Sequence, residues 1–289
     1  MNKYFLVLIF VFLIYSITPE GIIFARIEVG QKYVELSEYQ NNTLNVELLA
    51  DGLEKRLKDA AAILEITGNL HEIKSTPDVS LLNKPDAVIG IPEDSELEKR
   101  GIAKNVLSTF EDFEAIFFLM PNGELYLEEP FSAQENLTTS NFGFRGYYKG
   151  AVNTGETYLG DVIISAASGL PQAEIAVPLY SPNNQSLIGL WIGAVRLDLL
   201  EEQLRSLDLT QNERVMYADS NGTKVADSEN DSAAATSAQF SDLRSLKNAL
   251  RGQSGTIIEN LNGTEMSVSY HPVKALQNTW VVLWIETLR

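Results

Sequence analysis

The chain has 289 residues, of which 45% are hydrophobic and 21% charged, with a formal net charge of −17. That balance builds folded domains rather than a disordered chain. It excludes nucleic-acid binding and docking on an anionic membrane surface, both of which need clustered Lys and Arg; acidity of this kind serves solubility. There are no cysteines, which removes disulfides, thiolate chemistry and Cys-ligated metals. Stability must therefore come from a hydrophobic core, and the length permits one.

The first segment follows Lys3 with an uncharged run from Tyr4 to Ile17. Its length suits a signal-peptide core and is short for a membrane span. Apolar residues resume at Ile22-Ile23-Phe24-Ala25, so residues 4–25 also fit an N-terminal membrane anchor, and Ala25 equally fits a cleavage site. Both readings export the rest of the chain. Six Asn-x-Ser/Thr sequons follow, at Asn41, Asn136, Asn184, Asn221, Asn230 and Asn262. That exceeds the roughly three that chance gives at this composition.

Residues 45–66 predict a long helix. Val46, Leu49, Ala50, Leu53, Leu57, Ala60, Ala61 and Leu64 fall at helical spacing, charged residues cover the other face, and Gly68 follows as a C-cap. Such a rod is long enough to run beside two lobes. A second helix is expected from Asp94 to Asp112. Then Ala115–Met120 reads as a buried strand, Asn122-Gly123 as a tight turn and Glu124–Glu128 as the returning strand. Residues 131–145 read as loop. Strands are expected at Ala173–Leu179 and Leu187–Leu197, and a short helix at Leu199–Leu207.

The second half repeats this order. Its Asn-Gly turn, Asn221-Gly222, lies 99 positions after the first, and Leu283-Trp284-Ile285 lies 93 positions after Leu190-Trp191-Ile192. Pro178 and Pro272 precede the two tryptophan strands at similar distances. Three features recurring in register imply a duplicated lobe. Each lobe reads as an antiparallel sheet with segregated helices, an α+β layout. Residues 229–239 form a small-residue loop, and Phe240–Arg251 a helix.

Several chemistries fail on spacing. His71 and His271 stand in different lobes without a second ligand nearby, so no metal is expected. Asp227-Ser228-Glu229-Asn230-Asp231 lacks the glycine and closing glutamate of a calcium loop. Gly252-Gln253-Ser254-Gly255 is not a nucleophile elbow, no phosphate-cradling loop occurs, and no cofactor is implied. Acidic pairs such as Glu128-Glu129 are read as surface.

The order of parts, with Met120-Pro121-Asn122-Gly123-Glu124-Leu125, Phe144-Arg145-Gly146-Tyr147-Tyr148 and Gly193-Ala194-Val195-Arg196-Leu197-Asp198-Leu199, resembles the double Cache sensor family over about residues 40–289. The resemblance implies a long stalk helix and two PAS-like antiparallel-sheet lobes. The divisions expected are 1–25 as leader or anchor, 40–92 as stalk and connection, 93–200 as membrane-distal ligand-binding lobe and 201–289 as membrane-proximal lobe. It implies extracytoplasmic sensing of a small molecule, attached by the N-terminal anchor or secreted. In amino-acid-binding members an Arg and two aromatics hold the ligand carboxylate and a later Asp holds the ammonium. Those positions match Arg145, Tyr147, Tyr148 and Asp198 here. Asp161 is expected to line the same pocket. Two further tyrosines of that subgroup are replaced by Ser140 and Ile163, so a small carboxylate or another amine fits as readily as an α-amino acid.

By residue chemistry alone, Arg145 offers a planar fork for a carboxylate. Tyr147 and Tyr148 lie on opposite faces if extended and on adjacent faces if helical. Asp198 either meets a cation or caps the helix near Leu199. The expected function is a ligand-binding sensor that shifts a conformational equilibrium, without catalysis. It would pass its signal to a membrane partner, with a homodimer through the long helix as one arrangement. The sequence ends at Arg289 just past the last tryptophan strand, so no output module of its own is expected. The rival readings are an exported hydrolase and a structural or adhesive surface protein.

Overall fold

The computed structural model describes residues 19–82, 88–229, 240–261 and 263–288, with side chains from residue 42 onward. Most of the predicted leader, and the small-residue loop apart from Glu229, lie outside the described residues. No described helix is long and apolar enough to cross a membrane.

The long helix α1 spans Pro19–Gly68, far beyond the predicted 45–66. Once a helix is nucleated each added residue costs little, so it extends past its amphipathic stretch. Its 50 residues make a rod of about 75 Å. The predicted stripe is the buried one: Val46, Ala50, Leu53, Leu57, Ala60, Ala61 and Leu64 are all at most 2% exposed. Thr67 near its end accepts a hydrogen bond from the Trp191 indole at 3.0 Å. Helix α2 (His71–Lys74), a 3-10 turn (Val79–Leu81) and α3 (Leu97–Thr109) lead into the first sheet.

The first sheet contains β1 (Phe113–Leu119), β2 (Leu125–Glu129), β3 (Tyr158–Leu159), β4 (Ile163–Ile164), β5 (Pro171–Tyr180) and β6 (Leu187–Val195), in the order β2-β1-β6-β5-β3 with β4 against β5. Between β2 and β3 lie two short helices, α4 (Phe131–Glu135) and α5 (Gly146–Thr154), where the sequence predicts loop up to residue 145. Helix α6 (Leu197–Arg205) crosses to the second lobe. The second sheet has β7 (Glu213–Ala218), β8 (Lys224–Asp227), β9 (Gly255–Leu261), β10 (Thr264–Ala275) and β11 (Asn278–Thr287), in the order β8-β7-β11-β10-β9, with helix α7 (Arg244–Leu250) on one face.

The two sheets share one topology, as the internal repeat requires. Their first hairpins match residue for residue at the 99-residue interval: Phe117 faces Glu128 as Met216 faces Asp227, and both ladders bulge one residue later. Both turns need glycine. Gly123 and Gly222 sit at φ +83° and +79°, and a Cβ would meet the backbones of Gly143 and Ser241 at 2.5 and 2.7 Å.

Strand alternation divides the core. In the first sheet Ile116, Phe118, Ile175, Val177 and Trp191 face α1 and join one apolar cluster with Val215, Tyr217, Val282 and Trp284 of the second sheet. The helix is therefore a shared spine for both lobes. The opposite faces differ. In the second lobe Phe240, Leu243, Leu246 and Ala249 fill the space over Met216, Val268 and Leu283. In the first lobe Tyr147 and Ala151 of α5 cover only part of Phe117, Ala176 and Ile192. A cavity remains beside them.

Candidate ligand-binding site

The floor of the cavity is the face of the first sheet turned away from α1. Phe117, Leu125, Glu128, Gln172 and Glu174 point into it. The start of α5 supplies one wall through Arg145 and Tyr147, and the hairpin of β4 with the start of β5 supplies another through Ile163, Ser165, Ala166 and Ala167. Its volume is about 30 Å³, room for one or two waters. A larger ligand needs one of these walls to shift.

Arg145 is the residue before α5, in extended backbone geometry. Its Nη2 donates to the carbonyl of Ile164 at 3.0 Å, and the guanidinium stacks 5.1 Å over the Phe144 ring. Its Nε is buried with no hydrogen-bond partner. Among the described residues no carboxylate lies within ion-pair distance of it. A buried donor left unpaired costs about 1–3 kcal/mol, a cost that an acceptor in the cavity would remove.

Tyr147 follows in helical geometry, buried, with its ring edge-on to Phe117 at 6.2 Å. Burial and the nearby Glu174 hold its hydroxyl protonated, well above the usual tyrosine range. Tyr148 turns to the adjacent helix face. Its hydroxyl donates to the carbonyl of Pro121 at 2.6 Å and it does not line the cavity. It braces α5 against the β1–β2 turn.

Two other expected site residues also lie elsewhere. Asp198 sits in the first turn of α6, with its side chain 56% exposed. Arg196 binds it through Nε at 3.0 Å and through Nη2. That hydrogen bonding holds the carboxyl below the usual range. With the helix starting at Leu197, Asp198 is one residue inside it rather than capping it. Asp161 points away from the cavity to the second lobe. It accepts from the Ser220 hydroxyl at 2.8 Å and from the amides of Asn221 and Asn278, both at 2.9 Å.

The acids that do reach the cavity are ones the sequence reading passes over. Glu128 and Glu129 are not a surface pair: they are 7% and 1% exposed. Glu129 points to the back of the sheet, where Arg100 binds it at 2.7 Å inside a network with the carbonyls of Ile91, Pro92 and Glu128. Glu128 points to the cavity. Burial, reinforced by Glu114, pushes its carboxyl up to about 7. Glu174, on β5, is 2% exposed. Its Oε1 accepts from Gln172 at 3.0 Å, while its Oε2 is buried without a partner. It is pushed up to about 8, chiefly by burial; Arg145 opposes that shift, and Glu114 and Glu128 contribute to it.

The duplicated hairpin shows why Glu128 is unpaired. Its counterpart, Asp227, is fully buried and bound by Arg214 through Nε at 3.0 Å and through Nη2. At the 99-residue interval the counterpart of Arg214 is Ala115. The first lobe keeps the acid and lacks the arginine. Where Glu174 stands on β5, the proline-strand interval places the apolar Val268 on β10, packed in the second lobe's filled core. One cavity thus holds a guanidinium and two carboxyls that do not neutralise one another.

A sequence profile of the Cache domain matches residues 31–285. Over 144 residues the chain is 31% identical to the methyl-accepting chemotaxis protein McpA of Pseudomonas putida, covering 48% of this chain and 21% of that one. The chain thus spans about a fifth of that relative's length. The fold resembles the ligand-binding domain of the Pseudomonas fluorescens chemoreceptor CtaA, solved with L-isoleucine, at TM-score 0.62 and 17% identity, covering 89% of this chain and 95% of that one. It also resembles that of the Pseudomonas aeruginosa amino acid chemoreceptor PctB, solved with L-Arg, at TM-score 0.61 and 17% identity, covering 88% and 96%. A third likeness, to the Pseudomonas aeruginosa chemoreceptor PctC solved with GABA, has TM-score 0.58 and 17% identity, covering 86% and 99%.

Proposed function

The chain belongs to the Cache domain family, and we propose that it is an extracytoplasmic sensor whose first lobe binds a small ligand carrying both a protonated amine and a carboxylate. One observation carries the reading: a guanidinium and two ionisable carboxyls, unpaired with one another, line one cavity. Arg145 would take the carboxylate, a charge-assisted bond contributing about 1.5–3 kcal/mol. Glu174 and Glu128 would take the amine, with Tyr147 as a wall beside them. This moves the amine side from Asp198, which Arg196 already occupies, to two buried glutamates. The amino acid and GABA complexes of the similar domains are in keeping with such a ligand. The site acts by binding, and the signal passes on through the rest of a membrane-linked receptor or a partner.

A thermal-shift panel of L-arginine, L-alanine, γ-aminobutyrate, putrescine and propionate tests this. A binder at 100 times its Kd stabilises by about 2.7 kcal/mol. Arg145→Ala should remove the response to carboxylate-bearing compounds, and Glu174→Gln the response to amines. A flat panel refutes the proposal. Sustained heat in calorimetry, instead of a saturating binding isotherm, would replace binding with catalysis.

A further inference from the structure

The hairpin over the cavity is moored at two places. Ile163–Ile164 pairs with Pro171–Gln172, and Ser165 N–H closes the turn on the Leu170 carbonyl at 2.9 Å. Its inner residues Ile163 and Ser165 line the cavity, while Ile164 and Leu170 face out. On the cavity side Arg145 holds the Ile164 carbonyl. The residues entering the hairpin, Asp161 and Val162, are bonded to the second lobe. Asp161 takes Ser220, Asn221 and Asn278 as above. Val162 N–H donates to Asp219 Oδ2 at 3.0 Å. Asp219 is fully buried, and its Oδ1 accepts from the backbone N–H groups of Asn221 and Thr223 at 2.9 and 2.8 Å. One carboxylate therefore organises the β7–β8 turn and also holds the base of the hairpin. Ile164 lies three positions after Asp161, about 10 Å of extended chain. The link is short, and its far half, Ile163–Ile164, is paired to β5.

A ligand changes the cavity side of this arrangement twice. A ligand larger than the cavity presses on its walls, of which the hairpin is one, and a ligand carboxylate competes for the guanidinium that grips Ile164. We propose that Asp161 and Asp219 are positioning residues through which the hairpin over the cavity is seated on the second lobe, so that filling the cavity loosens the Asp219–Thr223 turn and the second lobe reads the first. The meaning of this coupling rests on the reading of the cavity as the ligand site. Its test needs no ligand, so the two can fail separately.

Native-state amide hydrogen exchange on the whole chain measures it. Arg145→Ala mimics the freed guanidinium grip. It should speed exchange about three- to tenfold, the effect of one lost hydrogen bond, at Ser165 and Gly169 and also at Asn221 and Thr223. The β11 amides should stay at wild-type rates. In the converse arm, the double variant Ser220→Ala/Asn278→Ala, altered only in the second lobe, should speed Ser165 and Gly169 by a similar factor. Asp161→Asn keeps one acceptor oxygen and should fall between this variant and wild type. Hairpin amides that respond to Arg145→Ala while Asn221 and Thr223 do not would overturn the proposal. So would hairpin amides indifferent to either variant. If Arg145→Ala does not fold, the converse arm decides alone.

Discussion

Glu174→Gln isolates the cost of the buried carboxyl. Burial raises Glu174 from 4.5 to about 8 in the folded protein. Above pH 4.5 the unfolded chain releases this proton while the folded protein keeps it. The folded state then binds more protons, and stability falls as pH rises. The contribution is fully present below 4.5 and is lost as pH rises through about 8. At 1.36 kcal/mol per pKa unit the ceiling is about 5 kcal/mol. Glutamine keeps the oxygen that accepts from Gln172 but puts an amide where Oε2 has no partner. The protonated wild-type acid likewise carries an O–H at that unpartnered oxygen, so near pH 4.5 the two side chains cost about the same. The two stability curves should therefore lie close together near pH 4.5 and separate above it, the variant becoming the more stable as pH rises through about 8. Urea unfolding at half-unit intervals between those limits measures both curves. Parallel curves would mean that the carboxyl titrates as if in water, and the account of the cavity's electrostatics would be wrong.

Amine binding must draw Glu128 and Glu174 into their ionised forms, which requires loss of protons held up to about 7 and about 8. Affinity for γ-aminobutyrate or L-arginine should therefore rise between pH 6.5 and 8.5, with proton release visible as a dependence of calorimetric heat on buffer ionisation enthalpy, and Glu128→Gln/Glu174→Gln should abolish that dependence. Ala115→Arg places in the first lobe the arginine that the second lobe has at Arg214; it should pair with Glu128, preserve the fold by circular dichroism and weaken amine binding at least tenfold. Arg100→Met leaves the buried Glu129 only the longer Lys104 contact at 3.7 Å and should cost about 3 kcal/mol in urea unfolding, most of it recovered by adding Glu129→Leu.

Elements with a long period were legible in the sequence. The stripe of α1, the Asn-Gly hairpins and the tryptophan strands each repeat a pattern over many residues, and their recurrence at one interval revealed the duplication. The segment from Phe131 to Gln172 was not legible, because α4, β3 and β4 are too short to show a period. Their positions come from tertiary contacts such as the Arg145 grip on Ile164. Glu128-Glu129 misled because adjacent acids normally have one water-facing member, whereas β2 is covered on both faces, by Arg100 behind and the cavity in front. Asp161 and Asp198 misled because spacing cannot show where a carboxylate finds its partners: one found them in the other lobe and one two residues away. A signal for Glu174 was present. Gln172 and Glu174 alternate with Ala173, Ile175 and Val177, a polar face on a strand otherwise apolar enough to be buried.

If the first-lobe cavity is the ligand site, the duplicated lobes separate stability from sensing by the treatment of equivalent acids. In the second lobe Asp227 is matched by Arg214 and the space above the sheet is filled by Phe240 and α7, so burial there leaves no charge exposed to a low dielectric. In the first lobe the same hairpin position carries an acid without its arginine, a second acid stands on β5, and the space above is hollow. Such a site is costly while empty, because each carboxyl must hold its proton or suffer desolvation. A cation arriving from water relieves that cost as well as forming its own contacts. The hairpin that walls the site is bonded to the stable lobe, so under the coupling proposed above the gain would depend on where the hairpin sits. A differential affinity of this kind is what a ligand needs in order to shift an equilibrium. Filling the hollow with apolar side chains and adding the missing arginine would give a more stable protein with nothing to report.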